Sequence, residues 1–551
     1  MIFSDLLLST VVSTHHNRAL FTKPVRVQAQ LPLPERPVDS TAMIVLAWLN
    51  FFVELDPKPD FTCSRKTGKI ERMTMTKPLP DWLIRFRQRL AEAISEDVEL
   101  IETHISWLLL AGGFAYKLKK PVTLPFLDYG SPASRHFFCD EELRLNRRFA
   151  PELYLDVVLV DAEADEWAVR MRRFAEAARL DHVCARGELT LAHLSDLAQV
   201  IIALHENSSA AKADSRFGEP AQVLAQAMEN LDELRHLLPA ELLRLDQLCI
   251  WTKVEFARVS ELIQRRKLAG RVRECHGDLH LGNLVLIDEQ VTPFDCIEFN
   301  EDLRWIDVIS ELAFTYVDLL NQQRPDLAGW LLNEWLAGSG DFAAMPLLRF
   351  YALYRALVRA KVAGLRGDSA DAEKYLVMAE KLIAPPEPTL TITFGLSGSG
   401  KTQSSRAMIL ADRTATTVHL RSDVERKRLY GLSANAPSQS GLASGIYAAE
   451  ASARTYDHLA QTAAGLLANG WSVIVDAAFL ERQRRDVFHA LAVQAKVPFK
   501  ILACTASTAV LRQRIEQRSG DASEATLAVL ERQLAHVEPL AIDELPFTIS
   551  A

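Results

Sequence analysis

The chain has 551 residues, too many for a single hydrophobic core, and at about 150 residues per domain it should form three or four compact units. Its formal net charge of −9 argues against a broad nucleic-acid surface, because such a surface needs an excess of Lys and Arg. Seven scattered cysteines without C-x-x-C spacing are typical of the reducing cytoplasm and argue against a disulfide framework or zinc site, while no apolar run reaches the roughly 18–20 residues of a membrane span.

Residues 1–78 show no sustained helical or strand period, and prolines cluster at 32–37 and 57–59. We interpret this segment as a poorly ordered N-terminal extension. Two alternatives stay open. The segment is either translated from an upstream start, with Met73 or Met75 as the natural first residue, or it forms a small additional subdomain.

Regular patterns begin after Pro80, and the first informative one is a predicted strand, FAYKLKKPV, that follows the tight turn Gly112-Gly113. Side chains alternate along a strand, so Lys117 and Lys119 share one face. The run Phe-Ala-Tyr-Lys has the form of the V-A-I-K strand of kinases, whose lysine binds the α- and β-phosphates of the nucleotide. The alternative is an ordinary solvated lysine on a strand.

A helix is predicted at about 135–149. Four of its residues fall at i, i+4, i+7 and i+11 and therefore share one face: Phe138, Glu142, Leu145 and Phe149. A carboxylate inside such an apolar stripe needs a partner that offsets its burial. We predict that Lys117 pairs with Glu142, by analogy with the Lys–Glu pair of kinases.

The next motif is CHGDLHLGNLVLI, followed after a turn by VTPFDCIEF. Asp278 is placed to accept or orient the proton of an attacking hydroxyl. Asn283 lies five residues later and Asp295 ends the following hairpin, so both can offer the oxygen ligands that Mg²⁺ prefers. As an alternative, His276 and His280 are metal ligands or packed core histidines.

His-Gly-Asp-Leu-His-Leu-Gly-Asn followed by Phe-Asp resembles the aminoglycoside phosphotransferase and choline kinase branch of the protein-kinase-like fold, over about residues 100–375. The resemblance implies an α+β bilobal domain, for which we predict the bounds 79–383. It also implies roles for five residues: Asp278 as catalytic base, Asn283 and Asp295 as metal ligands, and Lys117 with Glu142 as the pair that orients ATP.

This sequence departs from the protein-kinase pattern in two ways. It has only Gly112-Gly113 in place of G-x-G-x-x-G, so cover for the phosphates must come from elsewhere. It also has Gly277 where protein kinases keep an arginine that responds to a phosphorylated activation loop. The second departure favours a small-molecule acceptor over a protein substrate.

Prolines at 384–389 predict a stiff linker, and strands alternate with helices from 390 to 551, which indicates an α/β domain with a parallel sheet. The segment GLSGSGKT follows a strand-like run and precedes a helix, as a P-loop requires. Glycine loops turn backbone N–H groups around phosphate oxygens, the lysine reaches the β/γ-phosphates and the threonine offers a hydroxyl to Mg²⁺. The predicted nucleotide-binding residues are Gly395, Ser397, Gly398, Ser399, Gly400, Lys401 and Thr402. The alternative is a loop of small residues beside a lysine.

Two acidic residues follow predicted strands in this half of the chain. Asp476 lies at the tip of the strand WSVIV and is the predicted carboxylate that supports Mg²⁺. Asp423 follows the strand TTVHL, at the edge where open α/β sheets bind ligands. Ser422 with Glu425 also matches a capping box, so an alternative treats this segment only as a helix start.

Arg514 and Arg518 are spaced at i and i+4 on a predicted helix and share a face. We predict that they close over the transferring phosphate as a lid. The alternative is a solvated basic face.

The C-terminal half resembles the small P-loop kinases over about 390–540: gluconate kinase, the zeta-toxin-like kinases and the kinase half of polynucleotide kinase. In those proteins an acidic residue after the second strand engages the acceptor hydroxyl, and Asp423 matches that position. Arg426 would then steady the acceptor.

These patterns predict a two-domain protein: a kinase-like half (79–383) and a P-loop half (390–551), both using ATP and Mg²⁺ to phosphorylate hydroxyl groups of small molecules. A second hypothesis makes the P-loop half the only active kinase or ATPase and the kinase-like half a nucleotide-sensing module. A third is an ATPase or toxin-like kinase that acts on a nucleotide sugar or a nucleic-acid end, and the acidic charge disfavours nucleic acid.

Overall fold

The structure is a computed structural model and describes residues 78–124, 127–440, 444–517 and 522–551. The predicted extension, apart from Pro78, and Arg518 of the predicted lid lie outside the described residues. The internal contacts of the chain divide it into Met1–Asp56 and Pro57–Ala551, and the elements below all belong to the second unit.

The kinase-like half begins with a five-stranded antiparallel sheet in the order β1-β2-β3-β7-β6. Its strands, with a short hairpin of β4 and β5 beside them, are β1 (Glu99–Glu102), β2 (Ser106–Ala111), β3 (Phe114–Lys119), β4 (Thr123–Leu124), β5 (Leu127–Asp128), β6 (Tyr154–Asp161) and β7 (Glu166–Arg172). Helix α1 (Asp81–Ile94) packs Leu83 and Phe86 on one face of the sheet. Helix α2 (Pro132–Asn146) packs Cys139 on the other.

A helical lobe follows the sheet. Its helices are α3 (Leu180–Ala185), α4 (Leu191–Asn207), α5 (Pro220–Leu237), α6 (Leu242–Leu268), α7 (Glu301–Arg304), α8 (Val308–Asn321), α9 (Pro325–Ser339), α10 (Met345–Leu365) and α11 (Ser369–Ile383). Two antiparallel pairs lie within it: β8 (Val272–Glu274) with β11 (Trp305–Asp307), and β9 (Leu284–Ile287) with β10 (Gln290–Pro293). The predicted α+β bilobal class is confirmed.

The P-loop half contains a five-stranded sheet in the order β13-β14-β12-β15-β16, and all its neighbouring strands run parallel. The strands are β12 (Leu390–Phe394), β13 (Thr417–Arg421), β14 (Ser472–Asp476), β15 (Phe499–Ala503) and β16 (Thr548–Ser550). The helices are α12 (Lys401–Ala411), α13 (Ser422–Leu429), α14 (Ala449–Ala468), α15 (Arg482–Ala495), α16 (Thr508–Glu516) and α17 (Leu527–His536). The predicted α/β class is confirmed, and the carboxyl ends of its strands carry the predicted site residues.

One cluster of buried apolar residues runs from the helical lobe into the parallel sheet. The indole of Trp471, which is 2% exposed, donates to the backbone oxygen of Met345 at 3.1 Å. A Cβ added to Gly329 in α9 would lie 3.6 Å from the Cα of Ala415, just before β13. The two halves therefore share a core, although the chain between them at 384–389 has neither helix nor strand. The domain bounds 79–383 and 390–551 stay predictions.

Two further observations concern the class of protein. None of the described helices is both long and apolar enough to cross a membrane. The six cysteines within the described residues are buried and carry free thiols. The hydrophobic core and its ion pairs therefore hold this part of the chain together without a disulfide.

We expect Trp471→Ala to lower the free energy of unfolding by about 3 kcal/mol or more, because it removes a buried ring at the junction of the two halves. Urea unfolding measures this change. Val493→Ala is the matched control: Val493 lies on α15 of the same half and is 65% exposed, so its loss should change stability by less than about 0.5 kcal/mol. Equal stability of the two variants would contradict a shared core.

Candidate functional site

The glycine loop between β12 and α12 has a backbone that only glycine fits. Gly398 and Gly400 have φ values of 82° and 94°, in the left-handed region that glycine populates freely. A Cβ on Gly395 would lie 2.4 Å from the backbone oxygen of Cys504, and one on Gly398 would lie 3.0 Å from that of Leu511. The close packing therefore explains three of the glycines predicted to bind phosphate.

The loop brings Thr402 to Asp476 at the tip of β14, and the Thr402 hydroxyl donates to Asp476 Oδ2 at 2.7 Å. Burial alone would raise the pKa of Asp476, but hydrogen bonds from His419 and Thr402 lower it to about 2. Lys401 folds back to donate to the backbone oxygens of Gly395 and Leu396 at 3.0 and 2.9 Å. An ionised carboxylate beside a hydroxyl is the oxygen donor set that suits Mg²⁺.

Ser399 supplies a second test of whether this loop fits a phosphate. The residue is 8% exposed, and its Oγ has no hydrogen-bond partner within the described part of the chain. Buried hydroxyls are normally hydrogen-bonded, so an unpaired one in a glycine loop is suited to a bound oxyanion. Such an oxyanion, a nucleotide phosphate, fits the residues that are present.

A cavity of about 1610 Å³ opens above this loop. All residues predicted for this site line it, except Gly395, which lies behind the loop, and Arg518, which is outside the described residues. Arg514 on α16 donates from Nη1 to the backbone oxygen of Gly398 at 3.1 Å. One of the two predicted lid arginines therefore already contacts the P-loop.

The far wall of the cavity contains Asp423 and Arg426 on α13. Arg426 is 7% exposed and donates from Nη1 to the backbone oxygen of Ile446 at 3.1 Å and to the hydroxyl of Ser452 at 3.3 Å. Its guanidinium carbon lies 5.2 Å from the ring centroid of Tyr447, and its Nε has no partner among the described residues. The sequence pattern missed Ser452 and Tyr447, since neither belongs to a motif.

The predicted capping box at Ser422 is wrong. Strand β13 continues through Arg421, so α13 starts at once, with Arg421 as its N-cap and Ser422 as its first residue. The carboxylate of Glu425 contacts Arg428 at 3.3 Å and His458 at 3.1 Å instead of the helix start. Asp423 therefore lies in the first turn of α13 and faces the cavity.

The kinase-like half holds a second cluster of charged residues. Lys117 on β3 donates to Glu142 Oε1 at 2.8 Å and also contacts Asp295. Lys119 donates to Glu142 Oε2 at 2.6 Å and also contacts Glu298. Burial alone would raise the pKa of Glu142, but the two ammonium groups lower it to about 2. The predicted Lys117–Glu142 pair is thus one part of a buried network that also contains Lys119 and Glu298.

The loop after β8 places Asp278 beside Asn283, whose Nδ2 donates to Asp278 Oδ2 at 3.1 Å. Burial acts to raise the pKa of Asp278, but nearby His280, 3.5 Å away, holds it well below its usual range. His276 is fully buried, its Nε2 lies 2.8 Å from the backbone oxygen of Phe294, and burial lowers its pKa to about 4. His276 is therefore a neutral packed histidine.

Asp295 adopts a left-handed backbone, with φ of 64°. Its N–H donates to the hydroxyl of Tyr154 at 2.9 Å, which stabilises this conformation. The preceding residue, Phe294, donates its N–H to the backbone oxygen of Asn283 at 3.0 Å. The backbone thus brings the chain positions of the two predicted metal ligands close together, and the Asp295 carboxylate contacts Lys117.

Two supporting groups of this site escaped the sequence analysis. Glu311 on α8 is fully buried and accepts from the backbone N–H groups of His276 at 2.9 Å and Gly277 at 3.3 Å, so it anchors the loop. Lys119 pairs with Glu298. The signal for this second pair was present, because Lys119 shares a strand face with Lys117 and Glu298 follows Asp295 by three residues.

Sequence comparison places both halves in one set of relatives. Uncharacterized protein Rv2004c of Mycobacterium tuberculosis (strain ATCC 25618 / H37Rv) is 31% identical over 453 residues, which cover 78% of this chain and 88% of that protein. Uncharacterized protein Mb2027c of Mycobacterium bovis matches to the same extent. The AAA domain family AAA_33 matches residues 390–540, the half in which the sequence predicted a P-loop domain.

Three solved structures are similar to parts of this chain, all with low TM-scores. A choline/ethanolamine kinase family protein from Mesorhizobium loti is 14% identical with a TM-score of 0.36, covering 56% of this chain and 96% of that one. A thermostable mutant of the aminoglycoside phosphotransferase APH(4)-Ia is also 14% identical with a TM-score of 0.36, covering 54% and 98%. A sugar kinase from Janibacter sp. HTCC2649 is 23% identical with a TM-score of 0.22, covering 30% and 85%.

The buried network predicts a pH-dependent stability. The pKa of Glu142 falls from its usual 4.5 to about 2, so the ionised pair stabilises the fold fully above pH 4.5 and loses this contribution as pH falls toward 2. Glu142→Gln should therefore lower the free energy of unfolding by about 3 kcal/mol at pH 7, and this deficit should shrink below pH 4.5. Urea unfolding at several pH values measures it.

Glu99→Gln is the control for this experiment. Glu99 lies in the same sheet, but its side chain is 59% exposed and contacts Arg173 at 3.4 Å only. Its substitution should change stability by less than about 1 kcal/mol. A deficit of Glu142→Gln that does not vary with pH would show that the carboxylate charge is not what stabilises the network.

Proposed function

The chain belongs to the same protein family as Rv2004c of Mycobacterium tuberculosis, and we propose that it is an ATP-dependent phosphotransferase with two nucleotide sites. One observation carries the proposal: in each half, a lysine suited to phosphate lies in a site that also holds oxygen ligands suited to Mg²⁺. These are Lys401 with Thr402 in the P-loop half and Lys117 with Asp295 in the kinase-like half.

In the P-loop half, the backbone N–H groups of the glycine loop and the free Ser399 hydroxyl would bind the phosphates. Lys401 would exchange its backbone partners for phosphate oxygens. Arg514, already against the loop, would stabilise charge that develops on the transferred group. Mg²⁺, held by Thr402 and Asp476, would neutralise phosphate charge, and Asp423 across the cavity would orient the acceptor hydroxyl.

In the kinase-like half, Asp278 is ionised and accepts the proton of the acceptor hydroxyl. Asn283 and Asp295 would hold Mg²⁺, and Lys117, fixed by Glu142, would orient the phosphates of ATP. Gly277 occupies the position immediately before Asp278 where protein kinases keep an arginine that responds to a phosphorylated activation loop. We therefore propose a small-molecule acceptor for this half too.

A second candidate function keeps the P-loop half as the only enzyme and makes the kinase-like half a nucleotide-sensing module. The shared core favours it, because a change of nucleotide in one half could reach the other through packed residues. Turnover measurements on variants of each half separate the two candidates.

We expect Lys401→Ala and Asp278→Asn to lower phosphate transfer in their own halves by about 100-fold or more, since each removes a group that acts on the reacting atoms. ADP formation is measured with sugars, aminoglycosides and amino alcohols as acceptors. Lys500→Ala, an exposed lysine on β15, is the control and should retain full activity.

The pattern of loss decides between the candidates. Acceptors that depend on one substitution each would support two enzymes in one chain. Loss of all turnover in Lys401→Ala, with Asp278→Asn fully active, would support one enzyme and a module. Full activity of both variants would overturn the proposal.

The position of Arg426 predicts a separation of kinetic constants. Its guanidinium lines the far wall of the cavity, so Arg426→Met should raise KM for the acceptor of the P-loop half by about tenfold and leave KM for ATP unchanged. Arg426→Lys should restore part of the loss. The control is Arg454→Met, an exposed arginine on α14 that stacks on Tyr430. A raised KM for ATP in Arg426→Met would place the residue on the nucleotide side instead.

A further inference from the structure

Helix α9 of the kinase-like half lies against the outer edge of the parallel sheet in the P-loop half. Strand β13 is the last strand on that side, so its outward backbone groups have no neighbouring strand to pair with in the described part of the chain. The Asn333 side chain takes that place. Its Nδ2 donates to the backbone oxygen of Thr417 at 2.9 Å, and its Oδ1 accepts from the N–H of His419 at 2.7 Å.

His419 connects this edge to the predicted magnesium ligand. Its Nε2 lies 3.2 Å from Asp476 Oδ2, the same oxygen that accepts from the Thr402 hydroxyl at 2.7 Å. Both hydrogen bonds end on Oδ2 and fix the orientation of the carboxylate. His419 and Asp476 are 8% and 5% exposed, so water does not compete for these bonds.

The same helix contacts α12, the helix that begins with Lys401. Arg406 on α12 lies 3.6 Å from the carboxylate of Glu334, and its guanidinium carbon lies 5.1 Å from the ring centroid of Trp330. Helix α9 thus contacts two elements of the P-loop site. One is α12, which carries Lys401 and Thr402, and the other is β13, whose His419 contacts Asp476. The cavity itself is lined by residues between 397 and 551.

From these contacts we infer that Asn333 of the kinase-like half is a positioning residue for the P-loop site: it fixes β13 so that His419 keeps the Asp476 carboxylate in the position from which it would hold Mg²⁺. The inference rests on the proposed function, in which Asp476 and Thr402 hold Mg²⁺. Without Asn333, two backbone groups of β13, one buried and one partly buried, lose their partners and the strand edge loosens. Under this inference, the kinase-like half contributes to nucleotide binding in the P-loop cavity, although none of its described residues lines that cavity.

The test is ATP binding by calorimetry in the full-length chain, with Mg²⁺ and with EDTA. Asp295→Asn is present throughout to remove a proposed magnesium ligand of the other site, and Lys401→Ala identifies the heat that belongs to the P-loop. We expect Asn333→Ala to weaken binding about tenfold with Mg²⁺ and by less than twofold in EDTA. His419→Phe should have the same effect, the double variant should add nothing to it, and His419→Gln, which keeps a donor, should restore part of it.

Arg349→Ala is the matched control. Arg349 also crosses the interface and donates to the backbone oxygens of Asn469 and Gly470 at 3.3 Å, but it makes no contact with β13. It should leave the magnesium effect unchanged. A second readout needs no nucleotide: hydrogen exchange at residues 417–421 in the metal-free protein should speed up in Asn333→Ala and not in Arg349→Ala.

Each outcome decides the matter. An unchanged magnesium effect in a folded Asn333→Ala variant would overturn the inference and leave the proposed function standing. An equal loss in Arg349→Ala would also overturn it, since that result points to general loosening of the interface. If Asn333→Ala does not fold, the contrast between His419→Phe and His419→Gln decides by the same criterion. No Lys401-dependent ATP binding in the parent would overturn the proposed function of this half and the inference with it.

Discussion

The contact between helix α9 and strand β13 is the constraint on which the arrangement of the two halves depends. Nine residues of α9 are buried, including two tryptophans, so the helix is apolar on more than one side. One side meets the helical lobe and another meets the edge of the parallel sheet. Exposing either side would return a large apolar area to water. The contact between the two halves therefore stabilises both of these surfaces, and each would be less stable if it were exposed to water.

The second constraint is the buried network of Lys117, Lys119, Glu142 and Glu298. Taking four charged groups out of water is costly, and only their mutual pairing offsets the cost. Removing Lys119, for example, leaves the buried carboxylate of Glu298 without its ammonium partner. The network therefore holds the Lys117 ammonium beside Asp295 without a ligand, which would reduce the ordering required of the nucleotide proposed for this half.

The sequence predicted which residues meet wherever those residues lie close together in the chain. The glycine loop, the Asp278–Asn283 spacing and the strand alternation around 390–551 predicted both folds and the residues that meet in each site. It did not predict contacts between residues that lie far apart in the chain. Asn333 and His419 are separated by 86 residues and belong to no motif. The prolines at 384–389 predicted a stiff linker, which stays a prediction, and linker composition carries no information about which surfaces pack together.

Asp295 must satisfy two requirements, one on its backbone conformation and one on its side-chain charge. Its backbone is left-handed, with φ of 64°, which costs most residues about 1–2 kcal/mol and costs Gly, Asn and Asp less. Its carboxylate must also face Lys117. Glutamate keeps the charge but strains the chain, whereas asparagine and glycine relax the chain but lose the charge. Under the proposed function, relatives that transfer phosphate in this half should keep aspartate at this position, and asparagine or glycine there would mark relatives that keep the fold without that activity.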